Sequence, residues 1–358
     1  MKRACWTIVA LLTAFALGLS LYAADRKGDS KAPKREAAAS AAPAPEEADG
    51  KPTAYLSAEE AGPAYVVQGE YLGDIGEKGG NKTKLGVQVA ALGHGEFLAA
   101  FLPGGLPGEG HDGKTRIEVP GKADDPAGGE VTFTREGGKG YSGVVNTPNM
   151  RVKTPEGETV VLKKVERVSP TLGAKPPQGA TVLFDGTNTD QWANGHVDDR
   201  KLLMTGAETK KQFKDFTLHA EFLLPFKPLG RDQDRGNSGI YIQKRYEVQV
   251  LDSFGQPPVF NGCGSLYRQK PPAVNMCYPP LRWQTYDIDF QSAKFDGSGK
   301  KVKNAVITVK LNGVVVHDNY EITDKTGAGQ PEGPTAGPIL LQGHGNPVFY
   351  RNIWVVEK

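Results

Sequence analysis

Apolar and polar residues alternate along a series of short runs in the second half of the chain. Residues 238–243 and 247–251, which flank a short basic and aromatic break, carry isoleucine or valine at every second position. Period-two alternation over four to eight residues predicts β-strands that pack one face on a core. Further strands are predicted at 216–224, 283–290, 305–311, 314–317, 339–342 and 348–356.

Almost no helical periodicity interrupts these runs, and Leu311-Asn312-Gly313 has the sequence of a tight hairpin turn. Antiparallel strands in this number predict a two-sheet jelly roll over residues 181–358. Residues 61–169 contain shorter β-type runs separated by Gly, Pro and Asp turns, and they predict a small β-sandwich or barrel. These shorter runs lie at 64–67, 85–91, 97–101, 115–119, 130–134, 143–145 and 159–165.

The fold class predicted from these patterns is therefore all-β, with residues 170–180 as a linker between two domains. Glycine and proline are frequent, at 45 and 26 of 358 residues, as a turn-rich protein requires. The formal net charge is only +2 and the basic residues are dispersed, so the sequence shows no nucleic-acid footprint and no polybasic membrane patch.

The first 24 residues have the pattern of a signal peptide. Lys2 and Arg3 precede an apolar run at 5–22, and small alanines follow it. We expect export to the periplasm or the extracellular space, and the alternative is an uncleaved segment that anchors the chain in the membrane. Residues 25–60 are rich in Ala, Pro, Lys and Glu and are predicted to form a disordered tether.

Export leaves Cys263 and Cys277 as the cysteines of the mature chain. An even pair in an oxidising compartment predicts a disulfide, and the alternative is two independent buried thiols. The segment 231–237, RDQDRGN, resembles half of a calcium loop but lacks the downstream glutamate. A bound divalent metal ion is thus an open alternative, and no other cofactor is expected.

The predicted hairpin places polar side chains on the face opposite its apolar one. These outward residues are Tyr241, Gln243, Glu247 and Gln249. If the strand that carries Glu221 lies beside the hairpin, two carboxylates share one surface with these amides. Carboxylates and amides bind sugar hydroxyls and aromatic rings stack on sugar C–H faces, so we expect a carbohydrate site, with an ordinary polar surface as the alternative.

The C-terminal run adds Gln342, His344 and Arg351 to the candidates. His344 lies between two glycines and is a candidate general acid, general base or metal ligand, with a backbone-bonded loop histidine as the alternative. Arg351 is suited to hold a substrate oxygen or to pair with Glu221. Trp283 is a candidate sugar platform, although a tryptophan that begins a strand is commonly a core residue.

Six segments of the second half resemble the 3-keto-disaccharide hydrolase domain family over about residues 179–358. They are VLFDGTNTDQW, DFTLHAEF, GNSGIYIQKRYEVQVLD, PPAVNMC, LNGVVV and GPILLQGHGNPVFYRNIWV, and they occur in the family's order. The resemblance implies a concanavalin-like jelly roll, which agrees with the strand pattern. It also implies hydrolysis of glycosides whose sugar carries a ketone at C3.

Such a ketone acidifies the proton on C2, so a base can remove it and expel the group on C1; water then adds to the unsaturated sugar. The resemblance makes Glu247 or His344 the candidate base, and Arg351 or a divalent cation the candidate stabiliser of the enediolate. Glu221 is a further candidate in the catalytic group. Gln249 and Gln342 are expected to hold sugar hydroxyls.

A different class of function remains open, because this fold also serves carbohydrate-binding modules without catalytic activity. An enzyme predicts titratable groups with shifted pKa values clustered in a cleft, whereas a lectin predicts a shallow aromatic platform.

Overall fold

The computed structural model describes residues 52–76, 80–125 and 129–358. The predicted signal peptide and the predicted tether up to residue 51 lie outside the described residues. Within the described ranges no helix is long and apolar enough to cross a membrane.

A short helix, α1 (Ala58–Val67), precedes the first strand. Its start is capped on both sides, because the Ser57 hydroxyl accepts from the Glu60 amide and the Glu60 carboxylate accepts from the Leu56 amide. The helix is interrupted at Gly62, where φ is 67°. Two predictions are therefore wrong here: the tether does not extend to residue 60, and the run at 64–67 is helical because local capping outweighs its β propensity.

Eight antiparallel strands close into a barrel, in which each strand pairs with its sequence neighbours and the last returns to the first. The sequence was compatible with either a sandwich or a barrel, and the structure is a closed barrel. The strands are β1 (Gly69–Gly76), β2 (Lys82–Gly93), β3 (Glu96–Pro103), β4 (Ile117–Ala123), β5 (Val131–Phe133), β6 (Ser142–Asn146), β7 (Asn149–Lys153) and β8 (Thr159–Val165). The sequence runs missed β1 and β7; β1 has three glycines, which obscure its alternation.

The remaining strands form a two-sheet sandwich, which confirms the predicted all-β class. In chain order they are β9 (Thr181–Phe184), β10 (Trp192–Ala193), β11 (Leu203–Met204), β12 (Glu208–Thr209), β13 (Phe216–Leu223), β14 (Ser238–Ile242), β15 (Tyr246–Val250), β16 (Trp283–Gln291), β17 (Lys294–Phe295), β18 (Lys301–Lys303), β19 (Ala305–Leu311), β20 (Val314–Ile322), β21 (Leu340–Leu341) and β22 (Phe349–Glu357). A 3-10 helix, Asp232–Asp234, precedes β14.

The strand order defines the two sheets. The five-stranded sheet runs β10-β12-β21-β14-β15. The seven-stranded sheet runs β11-β22-β13-β16-β19-β20, with β9 added beside β22, and β17 and β18 form a separate ribbon.

The sandwich core is built from the alternating apolar residues of both sheets. Leu218, Ala220 and Phe222 of β13 belong to the same buried cluster as Ile240 and Val248 of the β14–β15 hairpin. Since side chains alternate along a strand, the polar residues between them face outward on each sheet. The predicted turn at Asn312-Gly313 is also present, with φ of 50° and 79°.

The barrel and the sandwich interlock through their cores. Phe226, which follows β13, is fully buried in the barrel cluster, and Ala90 of β2 belongs to the sandwich cluster. Phe226 also exchanges two backbone hydrogen bonds with Tyr55, at 2.9 and 3.0 Å. The barrel and sandwich are therefore joined by shared apolar packing as well as by the chain.

The predicted disulfide between Cys263 and Cys277 is wrong, because both are free thiols buried in the sandwich core. The two thiols also interact with each other, and each sulfur has a further hydrogen-bond partner. Cys263 Sγ lies 3.4 Å from the Tyr286 hydroxyl, and Cys277 Sγ lies 3.4 Å from the Leu251 carbonyl oxygen. The alternative of two buried thiols is the one observed.

Truncation of Phe226 tests the interlock. Phe226→Ala is expected to lower the free energy of unfolding by about 3–5 kcal/mol, because it leaves a cavity where barrel and sandwich meet. Chemical denaturation of the full chain measures this loss. Phe260→Ala is the matched control, because Phe260 is 53% exposed and its truncation should change the free energy by less than about 0.5 kcal/mol. A loss below about 1 kcal/mol for Phe226→Ala would contradict the interlock.

Candidate functional site

The two predicted catalytic glutamates lie on different sheets. Glu221 is on β13, which pairs with β16 and β22, whereas Glu247 is on β15, which pairs with β14. Because the apolar residues of both strands face the shared core, the two carboxylates leave the sandwich on opposite outer faces. The expected shared surface of Glu221 and the hairpin is therefore wrong, and the two faces are separate sites.

The β14–β15 hairpin brings Glu247 directly opposite Tyr241. The Glu247 side chain leans across Gly239, where an added Cβ would lie 2.4 Å from Oε1. Only a glycine at position 239 leaves room for this carboxylate. The hairpin therefore provides both the strand position that turns Glu247 outward and the gap that it fills.

Loops cover the outer face of the hairpin, so that Glu247 is only 2% exposed. Gly327 contributes to this cover, since an added Cβ there would lie 2.9 Å from Glu247 Oε2. The Tyr241 hydroxyl donates to Oε2 at 2.7 Å. Burial raises the pKa of Glu247 to about 7, and the Tyr241 hydrogen bond offsets only part of that rise. A carboxyl of this kind can both accept and return a proton near neutral pH.

Gln249 extends the polar contacts from Glu247 to a neighbouring loop. Its amide group lies 3.0 Å from Glu247 Oε1 and 3.0 Å from the Ser238 carbonyl oxygen, and in the orientation that satisfies both oxygens its nitrogen donates to each. In the opposite orientation the nitrogen instead donates to the side-chain oxygens of Gln233 and Asn237, at 3.0 and 3.2 Å. Four side chains thus form a continuous polar chain that ends on the carboxylate.

A cavity of about 370 Å³ opens over this chain. It brings together five of the residues proposed from the sequence, Tyr241, Glu247, Gln249, Gln342 and His344. The sequence missed six further lining residues: Gln233, Asn237, Tyr267, Arg268, Gly327 and Ala328. Gln233 and Asn237 belong to the segment that resembles half of a calcium loop, so the polar composition of that segment was the signal.

Gln342 and His344 reach the cavity from the segment that follows β21. The Gln342 amide donates to the Gly239 carbonyl oxygen at 2.8 Å, which fixes its backbone on the hairpin. Its side-chain oxygen is buried and has no hydrogen-bond partner among the described residues. It is therefore available to accept from a ligand hydroxyl. His344 is exposed at the edge of the cavity, followed by Gly345 with φ of 71°.

Arg268 is the cation in the cavity wall, and its guanidinium lies over the ring of Tyr267 at 5.5 Å. The sequence prediction gave this role to Arg351. The pattern held no sign of Arg268, because a loop far from the hairpin in sequence carries it.

Gln243 does not line the cavity. Its side-chain nitrogen donates to the Phe213 carbonyl oxygen at 2.9 Å and to the Ser292 hydroxyl at 2.8 Å, and its oxygen accepts from Arg245. Gln243 has φ of 53° in the hairpin turn, a strained value for a residue with a side chain. Its buried bonds hold the turn, so its predicted contact with substrate is not supported.

Glu221, Arg351 and Trp283 lie together on the outer face of the seven-stranded sheet. Arg351 Nε donates to Glu221 Oε2 at 2.7 Å, and the Arg351 guanidinium stacks over the Trp283 ring at 3.8 Å. Glu221 Oε1 accepts from the Gly173 amide at 2.6 Å and from Asn352 at 2.9 Å. The predicted linker, residues 170–180, therefore packs on this face. Arg351 pairs with Glu221, which is the alternative to substrate binding given for it above.

The pKa values of Glu221 and His219 are set by the hydrogen bonds and ion pairs that both side chains make on this face. Burial alone would raise the pKa of Glu221, but hydrogen bonds from His219, Asn352, Arg351 and the Gly173 amide lower it to about 2. Burial likewise opposes the charged form of His219, whose pKa is nevertheless raised by hydrogen bonds to Asp287 and Glu221. A carboxylate held so firmly ionised is a poor proton acceptor, so Glu221 is a structural residue.

The cavity lacks a cluster of charged or imidazole metal ligands among the described residues. Within the described ranges no group of three or more His, Cys, Asp or Glu side chains lies close enough to hold a metal ion. Around Glu247 the polar neighbours are amides and a phenol, and Asp234 of the suspected calcium loop pairs with Lys227 at 2.8 Å. The suspected calcium loop is therefore engaged in an ion pair, whereas amide oxygens of the kind that line the cavity are ordinary ligands of Ca²⁺.

A second cavity, of about 430 Å³, lies between α1 and the barrel. Its lining is mainly backbone and small or apolar side chains, and Glu130 is its one titratable lining residue among those described. It offers no acid–base pair, so the cavity over the hairpin is the candidate site.

Comparisons with known proteins match the half of the chain that forms the sandwich. A model of the 3-keto-alpha-glucoside-1,2-lyase-like domain matches residues 179–356. A crystal structure of a "putative glycosyl hydrolase" from Parabacteroides distasonis ATCC 8503 is 37% identical, covers 51% of this chain and 85% of its own, and has a TM-score of 0.48.

Two further crystal structures with the same description and source are more distant. They are 18% and 21% identical, cover 51% and 50% of this chain and 94% and 99% of their own, and have TM-scores of 0.38 and 0.36. No curated protein matches the chain.

The same substitution on the two faces should change stability in opposite directions. Glu247→Gln is expected to raise the free energy of unfolding at pH 8 by about 2–3 kcal/mol, because a carboxyl whose pKa is raised on folding disfavours the folded state once it ionises. That penalty is absent below pH 4.5 and grows between pH 4.5 and about 7, so the gain should vanish at pH 4.5. Denaturation curves at the two pH values measure it.

Glu221→Gln is the matched control, and it should lower the free energy of unfolding by about 2–3 kcal/mol at pH 8. Its ionised form stabilises the fold above pH 4.5, and this contribution is lost progressively as the pH falls from 4.5 to about 2. Destabilisation by Glu247→Gln at pH 8 would show that burial does not penalise its charge.

Proposed function

Because residues 179–356 belong to the family of 3-keto-alpha-glucoside-1,2-lyase-like domains, we propose that the chain cleaves glycosides whose sugar carries a ketone at C3. The family assignment confirms the resemblance drawn from the sequence motifs. The observation that carries the proposal is the buried Glu247 carboxyl, with a pKa of about 7, at the floor of a polar cavity.

Glu247 is the proposed base. The C3 ketone acidifies the proton on C2, because the electron pair that remains can delocalise onto the ketone oxygen. A carboxylate with a pKa near 7 is a stronger base than an ordinary one and is still partly ionised at neutral pH. Tyr241 remains a protonated donor, since burial and the neighbouring Glu247 raise its pKa, and it holds the carboxylate in place.

Arg268 and His344 supply the other two functions that the reaction needs. The Arg268 guanidinium is the proposed partner of the negative charge that develops on the ketone oxygen. His344, at the exposed edge, is the proposed acid for the departing oxygen on C1. The free oxygen of Gln342 and the amides of Gln233 and Asn237 are suited to bind sugar hydroxyls.

The bonds balance in two steps. Removal of the C2 proton and departure of the C1 oxygen break a C–H and a C–O bond and form a C1–C2 double bond. Water then adds across that bond, with its hydroxyl on C1 and its proton on C2, which completes a net hydrolysis. We further propose, from the N-terminal sequence, that the protein acts outside the cytoplasm.

A carbohydrate-binding module without catalytic activity is the alternative function. Tyr267 and Arg268 give the cavity wall a flat surface that would suit sugar binding in either case. The buried carboxyl favours the enzyme, because a binding module has no need of a group that is costly to ionise.

The assay uses the full chain and a 3-keto-glucoside in D2O, followed by NMR. The wild type is expected to release the aglycone and to exchange the C2 proton, and Glu247→Gln is expected to reduce kcat/KM by about 10²–10⁴-fold. Below saturation, the rate should rise with pH through about 7, as Glu247 ionises. Glu221→Gln and Arg351→Lys, on the other face, should retain at least about half of the activity.

Binding of the sugar without release of the aglycone would support the lectin alternative. Equal loss of activity in Glu221→Gln, with its fold intact, would contradict the placement of the site over the hairpin.

A further inference from the structure

The barrel contacts the segment that carries two cavity residues. We define the barrel-facing loop as residues 226–237, which connect β13 to β14. It begins with Phe226 in the barrel core and ends with Asn237 in the cavity lining. Between them, Leu229 lies against Gly93 at the end of β2, where an added Cβ would be 2.2 Å from Leu229 Cδ2.

Two arginines of this loop bind backbone carbonyls at the end of β2. Arg231 Nη2 donates to the Leu92 oxygen at 2.6 Å, and Arg235 Nη1 donates to the Ala91 oxygen at 3.1 Å. Leu92 is the extra residue of a bulge between β2 and β3, which redirects the backbone at this point. Arg235 is itself buried and paired with Asp252 at 2.9 Å.

The same loop holds the amide partners of the candidate base. Gln233 lies between the two arginines in sequence, and Asn237 follows them; both contact the Gln249 amide, which contacts Glu247. The contacts therefore run without a break from the barrel backbone, through the arginines and two amides, to Gln249 and the carboxylate. Each link is a hydrogen bond, a contact between side-chain amides or a covalent step of four residues or fewer.

We propose that the barrel positions the candidate site, by holding the barrel-facing loop so that Gln233 and Asn237 keep Gln249 against Glu247. Arg231 and Arg235 are positioning residues in this arrangement, and the barrel is a structural part of the site. The proposal rests on the proposed function for its kinetic consequences only, because the contacts themselves do not depend on the substrate.

The barrel side alone can be changed to test this. Gly93→Ala places a Cβ against Leu229 at a position with φ of 82°. Gly113→Ala is the matched control, since Gly113 is a barrel residue with φ of 73° and no atom within 4 Å of an added Cβ. Both variants carry the backbone strain of a non-glycine residue, and only the first pushes on the loop. Leu229→Ala combined with Gly93→Ala removes the obstructing side chain and should restore the wild-type behaviour.

The first measurement does not require activity. Hydrogen exchange of residues 226–237 should accelerate at least about 5-fold in Gly93→Ala, and return to the wild-type rate in the double variant. The stability difference between each variant and its Glu247→Gln derivative should stop growing at a pH below 7, because a displaced loop admits water to Glu247 and lowers its pKa in the folded state. The titratable or charged groups that line the cavity with Glu247 are Tyr241, Tyr267, Arg268 and His344, and none is altered.

The second measurement is kinetic and uses the 3-keto-glucoside. Gly93→Ala should raise KM at least about 5-fold and shift the pH midpoint of kcat/KM downward, while Gly113→Ala stays within about 2-fold of the wild type. If Gly93→Ala does not fold, Arg231→Ala replaces it in the test. Arg231 is exposed, and its truncation removes the hydrogen bond to the Leu92 oxygen, so it should cause the same rise in KM and the same downward shift of the pH midpoint.

Unchanged exchange and an unchanged pH at which the stability difference levels off, in both Gly93→Ala and Arg231→Ala, would overturn the proposal. If no variant and no wild type turns over the glycoside, the proposed function fails. The exchange and stability results then still decide whether the barrel positions the loop.

Discussion

The apolar faces of the two sheets pack against each other, and this contact decides in which direction each side chain leaves its strand. Once the isoleucines and valines of β14 and β15 face the core, Tyr241, Glu247 and Gln249 must face outward. The same constraint acts on β13 and turns Glu221 to the opposite side of the sandwich. The chemistry of both outer faces depends on this division of side chains into core-facing and outward-facing sets.

The two glutamates show how the surroundings of a carboxyl determine its chemistry. Glu221 is buried, yet four donors satisfy it and lower its pKa to about 2. Glu247 is also buried, but its partners are a phenol and an amide, so the cost of desolvation prevails and its pKa rises to about 7. A group that destabilises the fold when ionised is retained at the floor of a cavity, which is the arrangement expected of a functional residue.

The barrel takes part in this arrangement through the barrel-facing loop. Phe226 anchors the loop in the barrel core, and the arginines bind the end of β2, so that the amides of Gln233 and Asn237 are presented from a fixed backbone. Sites supported by rigid elements hold their geometry more accurately than sites on free loops. The loop therefore gains from the barrel the support that its own sequence, rich in Gly, Pro and Asp, does not supply.

Local pattern determined a large part of the result. Period-two alternation located β13 to β16 and β19 to β22 to within a few residues, and it selected Tyr241, Glu247 and Gln249 as outward residues, because alternation depends only on the strand itself. Alternation does not tell which strands are neighbours, so Glu221 and Arg351 were grouped with the hairpin although they lie on the other sheet. Cys263 and Cys277 were paired because an even number of cysteines in an exported chain favours a disulfide, whereas both are free thiols in the core that also bind Tyr286 and Leu251. Only the tertiary structure could bring Arg268, Gln233 and the barrel to the cavity, since those contacts depend on how loops cover a sheet.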